Sequence, residues 1–83
     1  MSTSEPQPTA TAATWHLIEQ YAEPVGVTAN EVFGRSRYRQ VVAVRHMVWR
    51  HMHKHWHWSA YAIAAVWGVE GSTVQAALRK EQP

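Results

Sequence analysis

The 83-residue chain contains no cysteine. That excludes both a disulfide framework and a thiolate metal site, and it fits a reducing compartment. The chain also lacks an apolar run long enough to span a bilayer, and its N-terminus lacks the basic-then-apolar pattern of a signal peptide. The expectation is a soluble, cytoplasmic protein with no membrane partner. No nucleophile with an adjacent base, no carboxylate pair and no cofactor loop stands out, and so small a chain offers little pocket, so neither an enzyme nor a bound cofactor is expected.

Acid is missing from the middle of the chain. The span from Val32 to Val69 holds none, whereas Arg35, Arg37, Arg39, Arg45, Arg50 and Lys54 all fall within it. The net charge of +2 therefore hides a basic segment suited to phosphate contact. Protonating the six histidines would raise the charge from +2 to +8, so binding to a polyanion should strengthen as pH falls through the histidine range.

What is present reads as one small all-α domain, a bundle of about five helices. Residues 1–13, MSTSEPQPTATAA, have little to bury and are expected to form a disordered tail, leaving 14–83 as the domain. A first helix should run from about Thr14 to Glu23, with Trp15, Ile18, Tyr21 and Ala22 on its apolar side and Pro24 stopping it. Thr28 and Glu31 form a capping-box pattern ahead of a short helix that turns Val32 and Phe33 to the core and ends at Gly34. GRSRYR, Gly34 to Arg39, is exposed by composition. A flexible arginine loop can enter a minor groove or clamp phosphates; the alternative is a solvated loop whose arginines pair with acids.

From Gln40 to about Trp56, the residues Val41, Val42, Val44, Val48, Trp49, Met52 and Trp56 share one wide arc at helical spacing, which predicts the central core helix. Trp49, Trp56 and Trp58 read as core mass rather than as a stacking platform for single strands. His46, Arg50, His53 and His57 would form a polar stripe opposite the arc, with His51 and His55 at its edge. The pairs 51/55 and 53/57 both have the i, i+4 spacing that lets two imidazoles hold one metal. Neither has a cysteine or acid nearby to complete a site, so only adventitious Ni or Zn binding is expected.

The stretch SAYAIAAVWGVEGSTVQAALRK reads as two short helices and a tight turn. Ser59 can cap the first, which buries Ile63, Val66 and Trp67, and Gly68 ends it. Gly71 and Ser72 offer a second start, followed by Val74, Ala77 and Leu78 on one face. Ser72, Thr73, Gln75, Ala76 and Arg79 lie opposite, with the small and hydrogen-bonding character of a helix that reads base edges in a major groove, and also of any solvated helix in a bundle.

The run GVTANEVFGRSRYRQVVAVRHMVW resembles the C-terminal double-stranded-DNA-binding domain of the bacterial replication initiator DnaA. The family has a short helix, a K/R-S-R loop and a helix opening with an apolar stretch and A-R-Q. Here these are Gly34-Arg35-Ser36-Arg37, Val41 to Val44 and Arg45-His46. The likeness extends through Ser59, Ile63, Trp67 and Gly68 to Ser72-Thr73-Val74 and Arg79-Lys80, covering about Trp15 to Lys80. It implies a Trp-repressor-like helix-turn-helix with the S-T-V helix in the major groove. It also implies Arg37 in the minor groove, Arg45 and Ser59 near phosphates, and Ser72 in place of a base-contacting threonine. Where the family has R-D-H before T-T-V, this chain has Val69-Glu70-Gly71, and His51 and His55 stand at usual Leu positions. No G-x-x-x-x-G-K-[ST] occurs, so the initiator's ATPase activity is not expected of these residues.

The combined expectation is a stand-alone double-stranded-DNA binder, acting as a regulator, a replication or packaging accessory, or a phage-encoded competitor. Arg35, Arg37 and Arg39 would grip backbone or minor groove, and Glu70, Ser72, Thr73 and Gln75 would face the major groove. It would bind as a monomer or as a homodimer on paired half-sites. The alternative is a protein-interaction module, such as a phage inhibitor of a host enzyme, with Trp58 or Tyr61 as the anchor for a protein partner.

Overall fold

Helix α1 (Ala12–Ala22) buries Thr14, Leu17, Ile18 and Ala22, a stripe at helical spacing, while Trp15 and Tyr21 flank it half-buried. The computed structural model describes residues 12–80. The expected tail therefore lies outside the described residues except for Ala12 and Ala13, which are helical; alanine is the best helix former and extends the first turn readily. Leu17, absent from the expected apolar side, is 3% exposed. The helix ends where Val25, Gly26 and Val27 all donate their amides to the Ala22 carbonyl. Gly26 takes a φ of +89° there, a conformation that glycine alone adopts cheaply.

The capping box forms as expected. Thr28 accepts from the Glu31 amide at 3.1 Å while the Glu31 carboxylate accepts from the Thr28 amide at 3.0 Å, opening α2 (Ala29–Phe33). Helix α3 (Arg39–His55) buries Val41, Val44, Val48, Trp49 and Met52 along one face. It ends at His55 with Trp56 as its C-cap, as expected, and there the chain reverses: His57 takes a φ of +60°, and the Trp58 amide reaches back to the Met52 carbonyl. His53 donates from Nδ1 to the Trp58 carbonyl at 2.9 Å, holding the reversal. Trp56 and Trp58, 6.0 Å apart, thereby pack half-buried against the core. The expected polar stripe consequently breaks before His57, and 53/57 is not a helical pair.

Helices α4 (Ala60–Trp67) and α5 (Gly71–Lys80) complete five helices, with no strand among the described residues. They pack chiefly on each other, α5 and α4 both touch α3, and α1 packs on α2 and α3. A row of aromatic contacts stitches four helices together: Trp15 to Phe33 at 5.3 Å, Phe33 to Trp67 at 5.0 Å, and Trp67 edge-on to Trp49 at 5.6 Å. Such pairs prefer tilted and edge-to-face geometry because the ring face is negative and its rim positive. Trp49 is thus the core mass the sequence predicted, and Trp67 is its partner. No helix among the described residues is long and apolar enough to cross a membrane.

Candidate nucleic-acid interface

The α4–turn–α5 unit is built by local chemistry. Ser59 Oγ accepts from the Ala62 amide at 3.1 Å, satisfying one of the free donors at the start of α4. Gly68, at φ 70° and ψ 32°, ends α4 in the left-handed conformation. Three residues later α5 begins at Gly71, with the Glu70 carbonyl accepting from the Thr73 and Val74 amides. Val74 and Ala77 are buried and Leu78 half-buried, while Ser72, Thr73, Gln75, Ala76 and Arg79 are all exposed on the other face.

The arginine loop joins α2 to α3. Arg35, Arg37 and Arg39 are exposed, and Arg39 is already the first residue of α3. Arg45, which the resemblance puts near phosphates, is held in place by backbone carbonyls. Its guanidinium donates from Nε to the Val32 carbonyl at 2.8 Å, and from one terminal nitrogen to the Ser36 carbonyl at 3.0 Å and the Glu31 carbonyl at 3.3 Å. Burial draws its pKa below the ordinary arginine value. The side chain ties α3 to the end of α2 and to the loop, so the loop expected to be flexible is held at Ser36.

A cleft of about 670 Å³ separates the loop from the helix-turn-helix, and Arg35, Arg37, Arg45, Glu70 and Thr73 all line it. Arg39, Ser59, Ser72, Gln75 and Arg79 do not line the cleft. At its base lie Phe33, Trp49 and Trp67. The sequence reading did not place these aromatics at the site; their hydrophobic spacing signalled only burial. Both Trp49 and Trp67 leave the indole N–H without a hydrogen-bond acceptor.

Gly71 has a second role besides opening α5. A methyl group there would overlap the ring of Tyr61, which lies against it from α4 and is still 64% exposed. Trp58, by contrast, is half-buried against the core and offers less of an exposed anchor than Tyr61.

Away from this face, the histidines of α3 divide. His46 stacks on Trp49 with ring centres 5.4 Å apart. His51 Nδ1 is hydrogen-bonded to the Tyr21 hydroxyl at 3.0 Å, and its ring centre lies 4.6 Å from that of His55. Desolvation, and secondarily the neighbouring His55, hold His51 below its ordinary pKa of 6.5. Among the described residues, no group of three or more His, Cys, Asp or Glu side chains could hold a metal ion.

No protein-family model, no curated protein and no solved structure matches this chain.

Proposed function

We propose that this protein binds double-stranded DNA, with α5 in the major groove and the Arg35–Arg39 loop on the adjacent backbone or minor groove. Its service would be as a regulator, a replication or packaging accessory, or a phage-encoded competitor of a host initiator. The observation that carries the reading is the cleft in which Arg35 and Arg37 face Glu70 and Thr73 at the start of α5. Recognition helices contact base edges through their N-terminal residues, and a neighbouring cationic loop fixes register on the phosphates. Thr73, Ser72 and Gln75 supply hydrogen-bonding groups on the exposed face, and the Glu70 carboxylate suits a cytosine amino group. Ser59, whose hydroxyl caps α4, lies on the same helix-turn-helix unit, and Arg79 extends the exposed face of α5. Titration of duplex DNA at low salt tests the reading. Wild type should bind more tightly than an Arg37→Ala, Arg39→Ala double variant, and equal affinities would sink the proposal.

A second reading, a protein-interaction module that has kept the fold, is favoured by one observation: Tyr61 and Tyr38 are 64% and 72% exposed. Tyrosine is enriched where interfaces concentrate binding energy. Recovery of one stoichiometric protein after nuclease treatment would favour this reading, and recovery of DNA alone would exclude it.

A further inference from the structure

We propose that His51 and His55 together hold one divalent transition-metal ion on the C-terminal half of α3. Their ring centres lie 4.6 Å apart, on consecutive turns of the same helix. An ion about 2.0–2.1 Å from an imidazole nitrogen lies about 3.2 Å from that ring's centre. Two rings on one ion, at angles between roughly a right angle and the tetrahedral angle, therefore have centres about 4.5–5.2 Å apart. The observed separation falls in that range.

The surroundings select this pair. Tyr21 reaches across from α1 to His51 Nδ1 at 3.0 Å. When Nδ1 donates its hydrogen to the phenol oxygen, the Nε2 lone pair is left for the metal. This is the outer-sphere arrangement that fixes tautomer and ring orientation at metal-bound histidines. His55 is exposed and supplies the second nitrogen. The 53/57 pair, equal to it in sequence spacing, is dismantled by the end of α3 and by the bond from His53 to the Trp58 carbonyl.

The two imidazoles, Tyr21, Met47, Arg50 and Lys54 line a shallow depression of about 180 Å³. Two neighbouring cations and the absence of a third protein ligand weaken the site. Neutral nitrogen donors favour Cu(II) and Ni(II) over harder ions, and water fills the remaining positions. The ion binds by displacing water, with release of any proton that His51 or His55 carries.

The full-length protein should be titrated with CuCl2 or NiCl2 alone, by calorimetry and by thermal melting with and without EDTA. The expected result is one saturable site, with a Tm that rises with metal and returns to its starting value with chelator. His55→Ala, an exposed change, should weaken binding at least ~10-fold, and Tyr21→Phe by ~10-fold or more, the usual effect of removing an outer-sphere partner. His53→Ala should leave it unchanged. Absence of saturable binding, or equal losses in His55→Ala and His53→Ala, would overturn the assignment. DNA plays no part in these measurements, so they stand apart from the proposed function.

Discussion

Arg45 Nε and the Val32 carbonyl, 2.8 Å apart, join the middle of α3 to the end of α2 across thirteen positions of sequence. With the contacts to Ser36 and Glu31, one guanidinium satisfies three backbone carbonyls. Charged hydrogen bonds contribute about 1.5–3 kcal/mol each when formed in place of water contacts, less where solvent reaches them. Arg45→Ala is therefore expected to lower stability by about 2 kcal/mol in chemical denaturation. Arg37→Ala, fully at the surface, should stay within about 0.5 kcal/mol of wild type. A reversed ranking would show that Arg45 is not the tie.

The same pair of variants should separate in DNA binding. Loss of a phosphate contact at Arg37 is expected to weaken binding on every duplex sequence and to reduce the slope of log affinity against log salt by about 1. An unchanged slope in Arg37→Ala would remove that side chain from the interface.

At the turn of the helix-turn-helix, Gly68 sits at φ 70°. A side chain in this conformation costs about 1–2 kcal/mol, so Gly68→Ala should destabilise by about that amount. Ser59→Ala, which deletes the cap of α4, should cost about 1 kcal/mol. Wild-type stability in both variants would mean that the α4–α5 unit is held by its packing alone.

Gly71→Ala offers a different outcome, because the added methyl meets the Tyr61 ring and not backbone. Since that ring is largely exposed, it can swing away, and the expected loss is about 1 kcal/mol or less. A change in Tyr61 ring resonances should accompany it. Collapse of the fold in Gly71→Ala would mean that the ring is pinned more firmly than its exposure implies.

His51 gives stability a pH dependence. Its pKa in the folded chain lies below the ordinary 6.5, so the unfolded chain takes up the proton first. The stability that the neutral ring provides is complete above about pH 6.5 and is lost as pH falls toward the folded value. From α3 the neighbouring titratable or charged side chains are His55, Lys54 and Arg50, and from α1 the facing group is the Tyr21 hydroxyl. In metal-free buffer, Tm should fall as pH drops below about 6.5, and His51→Leu should flatten part of that fall. An identical pH profile in His51→Leu would assign the effect elsewhere.

Features that a few adjacent residues decide were legible in the sequence. The Thr28–Glu31 capping box, the Ser59 cap and the left-handed Gly68 each depend on groups within four positions, and all three form. The all-α class and the central helix followed from periodicity. What escaped was decided by contacts between distant residues. Arg45 entered the site through the resemblance alone, and nothing in its neighbourhood marks the carbonyls of Glu31, Val32 and Ser36 as its acceptors. Gly71 read only as a helix start, and nothing beside it in the sequence marks that the Tyr61 ring occupies the space a side chain would need. The end of α3 near Trp56, its C-cap, was legible, but not the reversal that follows, in which Trp56 and Trp58 fold back onto the core. That reversal also decided which of two equally spaced histidine pairs stays together.

The grip of Arg45 on the Ser36 carbonyl bears on how fast and how selectively the loop can act. An unanchored hexapeptide would have to lose backbone freedom worth about 1 kcal/mol or more per residue on docking, and it could mould itself to many surfaces. Here folding has already removed part of that freedom, with Ser36 tethered between Arg35 and Arg37. The backbone between the two exposed arginines is thereby held at one point, so less freedom remains to be lost when the loop docks on any surface.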